Sequence, residues 1–388
     1  MTTKQTPIHS GFGAQTTARE AIGKRDLRGL TAIVTGGHAG LGLETTRVLS
    51  GAGATVVVGA RSLDKARSNL AGTAGVELEP LDLIDPASVD SFAGKFLTSG
   101  RPLDILVNNA GIMATPLERD RRGFELQLAT NHIGHFQLTA RLWPALRKAG
   151  GARVVSVSSR GHAFGGVDFD DPHFERRAYD KWKAYGQSKT ANVLFALALD
   201  ARGEAHRVRA FSLHPGAIHT ELSRSIPEDE LRALLSSPRM AGTTLKTVEQ
   251  GAATSVWCAT SPQLESMGGV YCEDVDIAEP VNADFAGTYG VRPWAIDPRL
   301  AEQLWKKSEA WTVSATLPSL SAKPRSAGAS YTGLPPRMTS PSTCLATMAS
   351  VSALRSVAAS SSSGSATGWR LTTAPTAPSA KLSAWTRA

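Results

Sequence analysis

Apolar positions along this 388-residue chain alternate between two patterns. Short runs rich in Val, Ile and Leu recur as TAIVTG at 31–36, TVVVGA at 55–60, VELEPLDL at 76–83, DILVNNAG at 104–111, RVVSVSS at 153–159, RVRAFSLHPG at 207–216 and GGVYCED at 268–274. Runs apolar at successive positions suit strands buried on both faces, the condition of a parallel sheet. Between them, apolar residues recur at helical spacing over Leu41 to Ser50, Pro86 to Leu97, Gly123 to Lys148 and Tyr185 to Arg202. The repetition of strand, helix and strand predicts an α/β domain with a parallel sheet and helices on both faces.

Two stretches break the pattern. Residues 160–184 mix aromatic, Gly and charged residues without a period and read as a long loop, which in a compact domain is often functional. Residues 221–248 carry Pro227 and Pro238 around the amphipathic piece ELRALL and read as an insertion able to cover a pocket.

Composition then divides the chain. The net charge is +8, from 42 basic and 34 acidic residues, but positions 312–388 hold seven basic residues and no acidic one. Without them the body has 35 basic against 34 acidic residues, so the basicity belongs to the tail. That tail is Ser, Ala, Thr and Pro with few large apolar groups, too little to offset its ordering entropy, and disorder is expected. It reads either as a genuine extension or as the product of a shifted reading frame or of cloning. Residues 1–27 read as an N-terminal extension, 28–311 as the folded domain and 312–388 as the low-complexity tail. Seven charges spread so thinly, with Tyr331, Trp369 and Trp385 as aromatic company, argue against a nucleic-acid partner. Three scattered cysteines form neither a metal spacing nor a disulfide framework, and no run of 18 apolar residues occurs. A reduced, cytoplasmic chain with no membrane span is expected.

The sequence TGGHAGLG at 35–42 follows the first predicted strand and opens the first helix. Gly36, Gly40 and Gly42 would let the backbone approach a pyrophosphate, with the helix N-terminus supplying N–H donors; His38 and Leu41 belong to the same turn. The second strand ends in GAR, so Ala60 and Arg61 stand where an acidic residue would hold the ribose 2′-hydroxyl of NAD. An arginine there accommodates a 2′-phosphate, which favours NADP(H) over NAD.

With these pieces in order the chain resembles the short-chain dehydrogenase/reductase family. The matching residues are TGGHAGLG, Asp82 after the third strand, NNAG at 108–111, Asn131 in TNHIGHF, Ser159 in VSVSS, YGQSK at 185–189 and HPG at 214–216, over roughly residues 28–310. The GAR ending and NNAGIMATP look most like the branch containing retinol dehydrogenases and WW-domain oxidoreductases. The resemblance implies one Rossmann-type, doubly wound sheet of about seven strands in the order 3-2-1-4-5-6-7. It also implies Tyr185 as general acid/base, Lys189 as its activator, Ser159 as carbonyl orienter and Asn131 as support of a proton relay. Ser158 competes for the serine role, and the family pattern favours Ser159. Asp82 and Leu83, with Asn109, Ala110 and Gly111, would line the adenosine side; Pro215, Gly216 and Thr220 would meet the nicotinamide end, and Lys189 its ribose.

The chemistry agrees independently: Tyr185 and Lys189, four apart in a helical pattern, share one face. Moving a phenol from about 10 toward 7 takes roughly 4 kcal/mol of preference for the phenolate, which an ammonium and an oxidised nicotinamide can supply. The expected reaction is hydride transfer between NADP(H) and a small or medium lipophilic ketone, aldehyde or alcohol. The competing class is a cofactor-sensing protein without turnover, which would be expected to lose Tyr185 or Lys189. His132 and His135 lack enough partners for a metal site. Phe169, Phe174, Tyr179 and Trp182 could wall the pocket, and the helices at 123–148 and 185–202 are natural faces for a homodimer or homotetramer.

Overall fold

The strands form one sheet in the order β3-β2-β1-β4-β5-β6-β7-β8, seen in a computed structural model that describes residues 3–218, 221–236 and 244–312. They are β1 (Thr31–Thr35), β2 (Thr55–Ala60), β3 (Val76–Pro80), β4 (Ile105–Asn108), β5 (Arg153–Val157), β6 (Arg209–His214), β7 (Val270–Glu273) and β8 (Asp276–Ile277). The first seven pair in parallel as expected. The addition is β8, a two-residue strand returning antiparallel on β7 through Asp274 and Val275, both at positive φ.

Alternation along each strand sends its side chains to two cores. Ile33, Val57, Leu106, Val154 and Ala210 face one core, and Val34, Val56, Val107, Val155 and Phe211 the other. The helices are α1 (Ala18–Ile22), α2 (Gly40–Gly51), α3 (Leu63–Asn69), α4 (Pro86–Thr98), α5 (Leu126–Leu128), α6 (Gly134–Ala149), α7 (Lys181–Gly203), α8 (Glu228–Leu235), α9 (Val248–Thr260) and α10 (Pro298–Thr312). The first core packs under α4, α6, α7 and α10; the second packs under α1, α2 and α9. Edge strand β3 carries two acids, Glu77 and Glu79, each paired with a cation, Arg101 and Lys95.

Three local results differ from the sequence pattern. The helix expected over 123–148 is broken: Glu125 caps α5 by accepting the N–H groups of Gln127 and Leu128, and a π turn over Ala129–Ile133 precedes α6. Helix α7 begins at Lys181, four residues earlier than expected, because Asp180 accepts the N–H groups of Trp182 and Lys183. The stretch before β1 lies against the domain: Gln5 bonds the backbone of Tyr271 and Ala278, Asp276 receives the N–H groups of Ile8 and Ser10, and α1 buries Ala18, Ala21 and Ile22.

Helix α10 lies on the face assigned to subunit pairing. Trp305 meets Phe136 of α6 edge-on at 4.9 Å and stacks on Phe195 of α7 at 6.1 Å, so the chain fills part of that surface itself. No helix among the described residues is long and apolar enough to cross a membrane.

Candidate active site

The C-terminal ends of β1, β2, β4, β5 and β6 open into one cleft of about 650 Å³, where a doubly wound sheet offers its crevice. The glycine-rich turn forms its floor. Gly36 has φ +64°, and a Cβ on Gly42 would stand 2.4 Å from the Gly36 carbonyl oxygen and 2.5 Å from Asn109 Nδ2, so two backbones meet where no side chain fits. Asn109 donates Nδ2–H to the Thr35 carbonyl at 2.9 Å, while the Thr35 hydroxyl accepts the N–H groups of Asn109 and Ala110 at 2.9 and 3.0 Å. This staples the loop after β4 to the end of β1.

The turn suits a dinucleotide on observations internal to it. Ala39, the N-cap of α2, makes no side-chain cap bond, so its first-turn N–H groups lack the usual side-chain acceptor. His38 Nδ1 is buried without a partner. Arg61 follows the last residue of β2 and lines the cleft, with Ser62 and Lys65 beside it. Lys65 is ion-paired to Glu221 at 2.7 Å. Asp82, Leu83, Gly111, Pro215 and Gly216 also line the cleft.

Three strands away from Arg61 across the sheet, the other polar groups gather. Tyr185 and Lys189 project from α7, with Lys189 Nζ 5.7 Å from the centroid of the Tyr185 ring. Lys189 is 3 % exposed and donates to the Val157 carbonyl at 3.0 Å. Burial pushes its ammonium down to about 8 and pushes the Tyr185 phenol up to about 12, against which the nearby Ser159 hydroxyl acts. In this state the phenol is shifted away from neutrality, opposite to the depression anticipated with a bound nicotinamide, because desolvation opposes the phenolate. Gly161 makes room for the ring: a Cβ there would lie 2.8 Å from Tyr185 Cε1. Ser158 spends its hydroxyl on the Lys189 carbonyl at 2.7 Å, which leaves Ser159 as the serine beside the phenol.

Asn131 sits in the π turn, fully buried behind the cleft. Its Oδ1 accepts the Ile112 N–H at 2.9 Å, and its Nδ2 donates to the Ile112 carbonyl and the Ser188 hydroxyl at 3.0 and 2.9 Å. It thereby pins the loop segment after Gly111 against α7. Thr220 lies outside the described residues.

The two histidines of the TNHIGHF motif take different partners. His132 Nε2 meets the Ser308 hydroxyl at 2.7 Å, whereas His135 bridges the Thr35 hydroxyl at 2.9 Å and the Asn131 carbonyl at 3.0 Å. Burial holds both rings neutral, near 3 and 4. Of Phe169, Phe174, Tyr179 and Trp182, the aromatic residues expected to wall the pocket, Trp182 alone lines the cleft. Tyr179 instead spends its hydroxyl on Glu125, Gln127 and Thr115; Phe174 packs edge-on against Tyr179, and Phe169 packs on the core. A half-buried phenol tied to three polar partners frames a loop rather than walling a pocket.

The sequence pattern missed the apolar wall of Ile112, Met113, Leu126, Phe164, Ile218, Leu222 and Leu245, and the basic neighbour Lys65. Lys65 could have been read from its position one turn beyond Arg61 at the start of α3. The wall residues come from five separate segments and carry no local signal.

Comparison with known proteins follows the same residues. Residues 30–231 match the short chain dehydrogenase family. A Streptomyces lividans protein named probable oxidoreductase is 46% identical over 291 residues, covering 72% of this chain and 97% of that protein. Retinol dehydrogenase 11 of Mus musculus is 36% identical over 258 residues, covering 65% of this chain and 80% of the relative. Among solved structures, a Beutenbergia cavernae protein described as an NAD(P)-dependent gluconate 5-dehydrogenase, holding NADP at low occupancy, superposes with a TM-score of 0.52. It is 25% identical, covering 66% of this chain and 98% of that one.

Proposed function

The chain belongs to the short-chain dehydrogenase/reductase family, and from that premise we propose that it is an NADP(H)-dependent oxidoreductase acting on lipophilic carbonyl compounds or the corresponding alcohols. One observation carries the reading: the Tyr185 phenol, the Ser159 hydroxyl and the Lys189 ammonium converge in the same cleft as the glycine-rich turn. When bound, the nicotinamide supplies or accepts the hydride.

The chain's own groups handle the proton and the oxygen. In reduction Tyr185 donates its O–H proton to the substrate oxygen, and Ser159 donates a hydrogen bond to that oxygen as negative charge develops there. Lys189, still mostly charged at neutral pH, lowers the cost of the phenolate left behind. Asn131 has no side-chain atom to spare for substrate; it fixes the backbone of residues 111–112 around Lys189. A phenol raised to about 12 is protonated at neutral pH, which is the form that reduction consumes.

Gly36, Gly42, the first turn of α2 and Asn109 would hold the cofactor's backbone side, with Asp82 and Leu83 at the adenine and Pro215 and Gly216 at the nicotinamide. Arg61 and Lys65, with Ala60 rather than an acid at the end of β2, support a 2′-phosphate. The apolar wall from Ile112 to Leu222 supports a lipophilic substrate. Assembly into a homodimer or homotetramer uses surface that α10 leaves open.

A carbonyl and alcohol panel run with NADPH and NADH tests the reading beside Tyr185→Phe. Turnover with NADPH should fall about 10³-fold in that variant, while NADPH still binds in a fluorescence titration. Full turnover without the phenol would sink the acid/base role; equal or better turnover with NADH would remove the 2′-phosphate assignment.

A further inference from the structure

His162 takes no part in the chemistry above, yet its polar atoms are all engaged. Its backbone N–H and its Nδ1 both reach the Ser159 carbonyl, at 3.1 and 2.8 Å. Its Nε2 meets the backbone N–H of Arg292 at 3.2 Å. Its own carbonyl receives the Thr190 hydroxyl at 3.1 Å and the Trp294 indole N–H at 3.0 Å. The ring is fully buried and lies 4.8 Å from that of Tyr271.

These partners fix the tautomer. A backbone N–H only donates, so Nε2 must offer Arg292 its lone pair; the proton then sits on Nδ1, where the Ser159 carbonyl needs a donor. Burial keeps the ring neutral, down to about 4, so both roles hold across the neutral range.

Ser159 needs such support because the sheet has ended before it. The last ladder bond on this strand is Ser158 N–H to the Leu213 carbonyl. Beyond it the Ser159 hydroxyl accepts the Gly161 N–H at 3.0 Å within a single 3-10 turn, and the Ser159–Arg160 peptide is held on its N–H side by His214 Nδ1 at 3.1 Å, so its carbonyl side is left to His162. We propose that His162 is a positioning residue. Its Nδ1–H anchors the Ser159 peptide so that the hydroxyl stays beside Tyr185, and Arg292 keeps that proton on the right nitrogen. The C-terminal segment around Arg292 and Trp294 thus braces the reacting end of the cleft without touching it. The proposal rests on Ser159 orienting the substrate oxygen.

Two substitutions separate the two sides of the ring. In His162→Asn the amide reaches the Nδ1 position and keeps the donor to Ser159. In His162→Gln it reaches the Nε2 position, keeping an acceptor for Arg292 and losing the donor. With NADPH and a turned-over carbonyl substrate, His162→Gln should lower kcat about 30-fold with cofactor KM and melting temperature near wild type, while His162→Asn stays within about threefold. In a Ser159→Ala background His162→Gln should cost no more than about twofold, because the group it holds is gone.

Equal losses in the Asn and Gln variants, or a Gln penalty undiminished in Ser159→Ala, would overturn the proposal and leave His162 as packing. Undiminished turnover in Ser159→Ala alone would instead overturn the reading beneath it. Should either variant fail to fold, ¹⁵N NMR of histidine-labelled wild type reads the tautomer directly. A neutral Nδ1–H ring for His162 down to about pH 5 is expected, and an Nε2–H ring would refute the assignment.

Discussion

On the floor of the cleft, the backbones of Gly36 and Gly42 meet beside the Asn109 side chain, and Lys189 lies buried against the Val157 carbonyl. At its mouth, residues 221–236 are fastened by two ion pairs, Lys65 with Glu221 at 2.7 Å and Lys181 with Glu230 at 2.5 Å. The side chains of the first pair are 46% and 61% exposed, those of the second 28% and 32%. The floor is therefore held by steric fit and desolvated hydrogen bonds, which tolerate little change, and the mouth by contacts that salt and water weaken. A reaction common to a family can be fixed in the first region while substrate preference drifts in the second.

The largest departure from this contrast would come from Lys189. Replacing it by Met should reduce turnover about 10³-fold and yet leave the fold as stable or more so, because a buried ammonium is costly. Its folded pKa of about 8 lies below the unfolded value, so at neutral pH its charge opposes folding. Between about pH 8 and 10.5 the unfolded chain binds the extra proton, and wild-type stability should rise with pH across that window. Lys189→Met should abolish that rise and gain about 1–3 kcal/mol at pH 7, read from chemical denaturation at several pH values. A variant less stable than wild type at pH 7 would show that the Val157 bond outweighs the desolvation.

Gly42→Ala probes the floor by shape alone. The added Cβ would press on the Gly36 carbonyl, which is backbone and cannot swing away, and on Asn109 Nδ2, a side-chain end tied to the Thr35 carbonyl. A cost of about 3 kcal/mol in overpacking, expressed as roughly 100-fold weaker NADPH binding, is expected in a fluorescence titration. Unchanged affinity would mean that the loop yields, and that the floor is as adaptable as the mouth.

This contrast also explains what the sequence could reveal. The glycines are legible because the close approach of two backbones admits no other residue. The strands are legible because burial on both faces demands apolar residues at every position. Tyr185, Lys189 and Ser159 are legible through their ordered spacing on those elements. Asn131 was found, but neither its π turn nor its paired side-chain bonds to Ile112, which lies 19 residues earlier. The packing of α10 on α6 and α7 was equally hidden: the aromatic residues that meet there, Phe136, Phe195 and Trp305, come from three distant segments. The wall residues Leu222 and Leu245 stand on the least patterned stretch of the domain, where apolar positions have no period to betray their direction.

The mouth offers the smallest effect and the cleanest test of its character. Glu230 accepts from Lys181 Nζ through one oxygen and from the Trp182 indole N–H, at 3.0 Å, through the other. The hydrogen bond from Lys181 holds its carboxyl below the usual range, so the contribution of this pair is lost as pH falls through that lowered value. A pair this accessible is worth about 0.2–1 kcal/mol, and Trp182 lies three residues before Tyr185 on α7 and lines the cleft. Glu230→Gln keeps an acceptor for the indole and removes only the charge. Substrate KM should rise two- to threefold, by about the exposed-pair energy, with kcat nearly unchanged, and the difference from wild type should shrink in about 0.5 M salt, where charges are screened within a few ångströms. A salt-independent fall in kcat of tenfold or more would instead place Glu230 with the floor, as part of the geometry that sets Tyr185.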